Sequence, residues 1–342
     1  MKVLTALIVC LFFASALAQN QSFESQSFVI GEVSFFGYSG LPVDQIRSSL
    51  PIHEGGSLAI QDVERTKDEV ARAVQRAIGQ RVTEVVVVCC NDTGKIMVFV
   101  GLPGESSQKF KYNSAPKEPI KLPQTILDRY AQAMTLNREA VQKQPGEDRS
   151  KGYSLSTYAP LRETEMSIRE LAIRNEVLIR RVLRLSAKPE DRRAAAYALG
   201  YAQHSQAQVL ALVRASRDPD DEVRNNAVRA LGVLATFSKA LAAWIPAGQI
   251  VPMLNSGLWA DRNKAALLMN ILSGARDPRL LSALRARALP SLVEMARWKD
   301  RLHAWDARMI VGRIAGIEEK HLEKLATDNV EEIISAVNRS KH

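Results

Sequence analysis

A short helical segment recurs along the second half of the sequence. The residues "RRAAAYALGYA" at Arg192–Ala202 align with "RNNAVRALGVL" at Arg224–Leu234, and an Ala-Leu-Gly triplet falls at the same place in both. Two weaker copies follow, "RNKAALLMNIL" at Arg262–Leu272 and "WDARMIVGRIA" at Trp305–Ala315. Small residues let helices approach closely, and the apolar stripe at i, i+3 and i+4 packs against a neighbour. The recurrence therefore constrains this half of the chain to a stack of similar helical units.

The spacing of these copies predicts pairs of helices. Each copy supplies one helix, and apolar periodicity predicts the partner helices at 168–185, 206–215, 249–258, 280–296 and 318–335. Two-helix units that repeat at roughly 30 to 45 residues indicate an α-solenoid. The recurring Ala-Leu-Gly disfavours the alternative, an irregular helical bundle. We therefore predict an all-α solenoid of about four repeats over residues 161–342.

The second copy and the residues before it resemble a known repeat family. "DPDDEVRNNAVRALGVL" at Asp218–Leu234 is similar to a HEAT repeat of the short bacterial type, and in it Asp218 can cap a helix that Pro219 begins. The resemblance extends over about half of the chain. It implies a HEAT-like array that binds other proteins along a concave face and that carries no catalytic residues.

The first half of the chain alternates strand and helix patterns. Residues 28–37 are typical of a strand, and residues 41–50 and 62–78 of two helices. Residues 84–90 and 95–102 predict a hairpin, because the turn sequence between them is Asn-Asp-Thr-Gly. The predicted fold is an α+β domain in the order strand, helix, helix, strand, strand.

This domain resembles a polypeptide-transport-associated (POTRA) domain, which we place at residues 27–104. The resemblance is carried by Phe36–Gly37 after the first strand, "LPIHEGG" at Leu50–Gly56, and Asp62–Val63 at the start of the long helix. It implies a non-catalytic module that docks to other polypeptides, often by an exposed strand edge. The family usually has several units in series, whereas this chain has one. The alternative is a small α+β domain of no known kinship.

The N-terminus and the segment between the two domains complete the predicted organisation. Lys2, an apolar run over residues 3–14 and the small-residue pattern Ala16–Ala18 predict a signal peptide at residues 1–18. An uncleaved anchor is disfavoured because the run is shorter than the roughly 20 residues of a membrane helix. We expect an exported protein, periplasmic or secreted, of a bacterial envelope. Residues 105–160 are rich in Pro, Gly, Ser and Lys, and we predict that they form a linker around one helix.

Composition and motifs exclude several classes of function. The formal net charge is +9, but no basic run exceeds two residues, so we expect no nucleic-acid partner. The five histidines are scattered, and neither an H-E-x-x-H nor a C-x-x-C motif is present. We therefore predict no metal, no cofactor and no catalytic residues.

The adjacent cysteines Cys89 and Cys90 are the unusual chemical feature. Neighbours on a strand point to opposite faces, and adjacent trans Cα atoms lie about 3.8 Å apart, closer than in most disulfides. We favour two structural thiols. A vicinal or an intermolecular disulfide is the alternative. An alternative function follows from the pair, a thiol-dependent redox or other enzyme with the solenoid as its substrate platform.

Arginines stand at similar places in successive repeats. The set is Arg192, Arg193, Arg224, Arg262 and Arg308. We interpret it as a candidate ridge that faces an acidic protein partner, against the alternative of a solvated charged face. The function predicted from the whole sequence is an exported, non-enzymatic protein-binding adaptor or scaffold. Its solenoid grips one protein, and its POTRA-like domain docks to another polypeptide.

Overall fold

The computed structural model describes residues 27–107, 110–141 and 146–340. These residues divide into two compact units. The first holds residues 27–107 together with Trp298–Arg301, and the second holds the remainder from residue 110 onward. The predicted signal peptide at residues 1–18 lies outside the described residues. Within the described ranges, no helix combines the length and the apolar character needed to cross a bilayer.

The first unit is a four-stranded sheet covered by two helices. Its elements are β1 (Ser27–Phe36), α1 (Val43–Ser49), β2 (Ser57–Ala59), α2 (Val63–Ile78), β3 (Glu84–Val88) and β4 (Ile96–Gly101). The strand order is β2-β1-β4-β3, with β1 parallel to β4 and the other pairs antiparallel. The predicted α+β order of strand, helix, helix, strand, strand is confirmed, and the three-residue β2 is an addition.

The core of this unit lies between the sheet and the helices, and a distant segment extends it. Every residue of β4 is buried, as expected for a central strand covered on both faces. Trp298 is 1% exposed, its ring centroid lies 4.8 Å from that of Phe99, and its indole N–H donates to the Phe35 carbonyl at 3.1 Å. The buried Glu32 carboxylate accepts the backbone N–H groups of Lys299 and Asp300 at 2.8 and 2.7 Å. Residues 298–300 thus complete a core whose other members precede residue 103.

The structure explains why glycine occupies position 37, one of the motif positions that carry the POTRA resemblance. It follows β1 with φ +71°, and a Cβ added there would collide with the backbone carbonyl of Leu102. A side chain at this position is therefore disfavoured by both backbone conformation and space. Glycine lets the chain leave β1 directly beside the end of β4.

The second unit is built from paired helices. They are α3 (Gln124–Val141), α4 (Ala159–Leu185), α5 (Pro189–Leu199), α6 (Gln206–Ala215), α7 (Asp221–Phe237), α8 (Lys239–Ala243), α9 (Trp259–Ser273), α10 (Pro278–Ala296), α11 (Arg301–Ile314), α12 (Glu319–Asp328) and α13 (Val330–Arg339). The predicted all-α solenoid is confirmed. The aligned small residues Ala195, Ala227, Ala265 and Ala307 are all fully buried, which explains why the repeat keeps them.

Two of the predicted partner helices differ from the structure. Residues 249–258 were predicted as one helix, but the chain forms the 3₁₀ segments Ala247–Gln249 and Val251–Asn255, with Pro252 in the second. The predicted last helix is divided into α12 and α13 at Asn329, which has φ −151° and whose side chain caps α13 by accepting from the Glu332 N–H. A break by proline or by a capping residue overrides apolar periodicity.

The one helix predicted within residues 105–160 is present as α3, but from residue 110 onward the segment around it is not a linker. The Asn113 N–H donates to the Arg217 carbonyl at 2.7 Å, and the Leu122 N–H donates to the Asp191 carboxylate at 2.8 Å. Helix α3 buries Ile126 and Ala133, and a small hairpin, β5 (Glu147–Asp148) with β6 (Leu155–Ser156), follows it. Composition indicates loops, but it does not show whether a loop's backbone groups bond to a neighbouring helix. The second unit therefore begins near residue 110 instead of at 161.

Candidate functional site

The predicted arginine ridge is wrong, because four of its five members are inside the second unit. Arg192, Arg224, Arg262 and Arg308 are 3%, 1%, 0% and 7% exposed. They lie near the starts of α5, α7 and α9 and in the middle of α11. Recurrence at one repeat position marks an interior position as readily as a surface one. These four side chains cannot face a partner.

Three of the buried arginines form a ladder that joins successive repeats. Each guanidinium donates to a backbone carbonyl six residues earlier and to a carboxylate of the next repeat. The carboxylate distances are 2.9 Å for Arg192 to Asp218, 2.8 Å for Arg224 to Asp261 and 3.2 Å for Arg262 to Glu294. The carbonyls are those of Ser186, Asp218 and Ser256. Burial lowers the pKa of Arg262 to about 10, which still leaves it charged at neutral pH. The ladder is a structural element.

The remaining two arginines of the set are also paired. Arg308 donates to the carbonyls of Ala296 and Ala326 at 2.9 and 2.8 Å. Arg193 is partly exposed and bonds Asp220 at 2.7 Å and Glu222 at 3.2 Å. Four of the five are therefore buried, and the partly exposed Arg193 is paired with carboxylates.

A different set of arginines lines an open groove of about 990 Å³, here called the basic groove. Its walls are the last turns of α4, helix α6 with Arg217 and Asp218 beyond its end, and residues 111–116. Helix α4 is kinked at Asn175, so the wall begins just after that kink. The lining side chains are Lys111, Tyr112, Asn113, Ser114, Pro116, Val177, Arg180, Arg181, Leu183, Arg184, Leu210, Ala211, Arg214, Ala215, Arg217 and Asp218.

The two helical walls carry the same pattern of side chains, offset by 33 residues. Val177, Arg181 and Arg184 follow one another at i, i+4 and i+7 on α4, so they share one helix face. The equivalent residues at and after α6 are Leu210, Arg214 and Arg217. Val177 is 73% exposed and Leu210 is 47% exposed. We did not single out these residues from the sequence, although the 33-residue recurrence was a signal that could have identified them.

The charge of the basic groove is poorly neutralised. Six of its side chains are basic and one is a carboxylate, Asp218, which is already bound to Arg192. Arg180 pairs with Glu176 at 3.3 Å. Across residues 27–107, 110–141 and 146–340, no carboxylate pairs with Arg181, Arg184 or Arg214. These guanidinium groups therefore create a local positive potential at the groove.

The third wall is held in place by bonds to the end of α6. The Arg217 guanidinium donates to the Lys111 carbonyl at 2.8 Å, and the Asn113 side chain donates to the Arg214 carbonyl at 3.0 Å. The Tyr112 ring lies 4.5 Å from the Arg224 guanidinium, and burial raises the pKa of its hydroxyl. Since Lys111 and Asn113 are both bonded to the end of α6, this wall is held in place and the groove is preformed.

A second polar cluster lies around Lys264 on α9. Burial lowers the pKa of Lys264 to about 8, and its charged neighbours are Arg229, Glu147, Arg149 and Asp306. Arg229 pairs with Glu147 and also donates to the Ser154 hydroxyl at 3.1 Å. The adjoining void measures about 20 Å³, which is enough for one water molecule and too small for a larger ligand. The cluster is a half-buried network of charged side chains.

The favoured prediction of two free structural thiols at Cys89 and Cys90 is wrong. The two sulfurs form a vicinal disulfide, the peptide between the residues is cis, and the Cα atoms lie 3.1 Å apart. The alternating strand geometry assumed for them does not apply, because β3 ends at Val88. A disulfide is the oxidised form of a dithiol, so this pair would supply a thiolate nucleophile only after reduction. In the part of the chain that the structure describes, no group of His, Cys, Asp and Glu side chains could hold a metal ion.

Comparison with known proteins identifies the repeat region. Residues 175–246 match the family model for HEAT repeats, and this region contains both helical walls of the basic groove. Among solved structures, the chain is similar to an engineered protein, with 18% identity, a TM-score of 0.37, and coverage of 53% of this chain and 89% of that one. A designed armadillo repeat protein shows 16% identity, a TM-score of 0.34, and coverage of 54% and 94%. No curated protein matches the sequence.

Proposed function

We propose that the protein is an exported, non-enzymatic protein-binding scaffold whose basic groove holds a protein partner. The observation that carries the proposal is the exposure of Val177, Leu210 and Tyr112 around one concavity. Single exposed apolar side chains are common, but three around a preformed groove mark an interaction site. Their release of water on contact with a partner would favour binding.

The repeat fold supports this role. HEAT repeats match residues 175–246, and stacked repeats present long surfaces to other proteins. In the first unit, β3 lies at an edge of the sheet. An edge strand offers backbone groups to an added strand, which is the docking mode that the POTRA resemblance implies. We therefore propose that this unit docks to a second polypeptide.

Export is part of the proposal. It is supported by Lys2, by the apolar run that follows it, and by the small-residue pattern at Ala16–Ala18. A disulfide between Cys89 and Cys90 suits an oxidising compartment such as the periplasm or the cell exterior. Fractionation of producing cells and N-terminal sequencing test this part, and we expect the exported chain to begin at Gln19.

Site-specific photo-crosslinking tests the binding role. A photoreactive phenylalanine analogue replaces Leu210 in the full chain, and a matched variant carries it in place of Leu302, which is 74% exposed on α11. We expect discrete protein adducts from position 210 and none of the same adducts from position 302. Identical adducts from both positions, or none from position 210 in folded protein, would contradict the assignment of the groove.

A further inference from the structure

The chemistry of the basic groove indicates what kind of polypeptide it binds. On each helical wall an apolar side chain is followed by two arginines, Val177 by Arg181 and Arg184, and Leu210 by Arg214 with Arg217 next in line. Seven residues of helix rise by about 10 Å, and packed helix axes lie about 8–10 Å apart. Each of the two walls therefore presents a row of side chains that is apolar at one end and cationic over the rest.

The arginines are suited to carboxylates. A guanidinium group offers a planar fork of donors that can bind both oxygens of one carboxylate. The groove floor includes Leu183 and Ala215, which are 4% and 5% exposed, so a bound carboxylate meets apolar surface on one side. Charge-assisted bonds are stronger where water is excluded.

A purely structural role for these arginines explains less. Arg184 and Arg214 lie in the last turns of their helices, where a cation interacts favourably with the helix dipole. That interaction does not account for the exposed Val177 and Leu210, which stand one turn before the first arginine of each row. It also does not require the two rows to repeat at the same offset.

We propose that the basic groove binds an acidic polypeptide segment in which an apolar side chain is followed, within about 10 Å, by carboxylates. That length corresponds to about two turns of helix or three residues of extended chain. The apolar residue packs between Val177 and Leu210, and the carboxylates pair with Arg181, Arg184 and Arg214. This inference rests on the proposed function and names the class of its partner.

Peptide binding to the purified full-length protein tests the inference. The probe is a fluorescein-labelled helical peptide in which each leucine is followed four and seven residues later by glutamate, and the control peptide has glutamine in place of glutamate. Binding is followed by fluorescence anisotropy at low and at physiological salt. We expect the glutamate peptide to bind and its affinity to fall with salt. The glutamine peptide should bind at least about tenfold more weakly, because an amide cannot form the bidentate ion pair that a carboxylate forms with a guanidinium group.

Paired variants locate the site. Arg181→Glu with Arg214→Glu should weaken the glutamate peptide at least about 30-fold, or about 2 kcal/mol at 1.4 kcal/mol per tenfold. Arg279→Glu with Arg339→Glu makes the same change of charge at exposed positions outside the groove. It should alter affinity less than about twofold, because charges beyond about 10 Å are screened at 0.1 M salt. The neutral pair Arg181→Gln with Arg214→Gln should show an intermediate loss, and circular dichroism verifies that each variant is folded.

The outcomes separate this inference from the function on which it rests. Equal losses in the two charge-reversed pairs, or equal binding of both peptides, would overturn the acidic partner. Phosphatidylglycerol vesicles that bind through Arg181 and Arg214, with no binding of the glutamate peptide, would overturn it in favour of a lipid surface. Protein adducts from position 210, with no binding of the glutamate peptide, would support the scaffold role and contradict the acidic partner.

Discussion

Replacing Arg224 with methionine should strongly destabilise the second unit. Arg224 is 1% exposed, its Nε and Nη2 atoms bond the two oxygens of Asp261 at 2.8 and 3.1 Å, and its Nη1 donates to the Asp218 carbonyl at 2.8 Å. In this variant the buried Asp261 carboxylate loses both guanidinium bonds. It still accepts a hydrogen bond from the Ser256 hydroxyl at 2.8 Å. Breaking a buried ion pair from one side costs about 3–5 kcal/mol, because a buried charge loses its partner.

Thermal unfolding followed by far-UV circular dichroism measures this loss. In a unit of this size each kcal/mol lowers the melting temperature by about 2–4 °C, so we expect a fall of about 6–20 °C. The double variant Arg224→Met with Asp261→Leu should recover part of the fall, because no charge is then left unpaired. Recovery should be incomplete, because the Asp218 carbonyl still lacks its donor, at a cost of about 1–3 kcal/mol.

An exposed ion pair provides the matched control. Arg174 is 74% exposed and lies 3.9 Å from Glu170, so Arg174→Met should change stability by no more than about 0.5 kcal/mol. A loss below about 1 kcal/mol for Arg224→Met would refute the assignment of the ladder as a structural element. A double variant no more stable than Arg224→Met alone would refute the part played by the unpaired Asp261.

Three further predictions concern other parts of the chain. The pKa of Lys264 is about 8 in the folded protein, against an ordinary value of 10.5 in the unfolded chain. Between these two pH values the unfolded state binds more protons than the folded state, so the stability of the folded protein rises with pH. Lys264→Met should remove that rise in denaturant midpoints, and parallel pH profiles would contradict the burial of a titrating amine. Alkylation in denaturant should label Cys89 and Cys90 only after reduction, and mass spectrometry that finds either labelled beforehand would contradict the disulfide. Gly37→Ala should lower the free energy of unfolding by about 1–3 kcal/mol more than Gly55→Ala. Both glycines have positive φ, but only Gly37 is crowded by a backbone carbonyl. Equal shifts in the urea midpoint of the two variants would show that this crowding is unimportant.

Predictions from the sequence were accurate where the interactions involved join residues close in sequence, and less accurate where they join residues far apart in sequence. The helix pairs were predictable because the apolar period and the recurring Ala-Leu-Gly are properties of neighbouring residues, and the buried Ala227 and Leu231 are what such a period requires. The arginine ridge failed because the same recurrence is compatible with either face of a helix. Whether Arg262 faces water or Glu294 depends on a residue 32 positions away.

By itself, the sequence determined the type and order of most elements. It also determined that an α+β unit is followed by stacked helices, and that Gly37 ends the first strand. Those features depend on local periodicity and on the conformational limits of single residues. Only the tertiary structure decided that residues from 110 onward pack on the solenoid, that Trp298 completes a core with Phe35 and Phe99, and that Arg181 and Arg214 line one groove. Each of these depends on contacts between residues distant in the chain, whose formation is governed by the packing and hydrogen bonding of the whole unit.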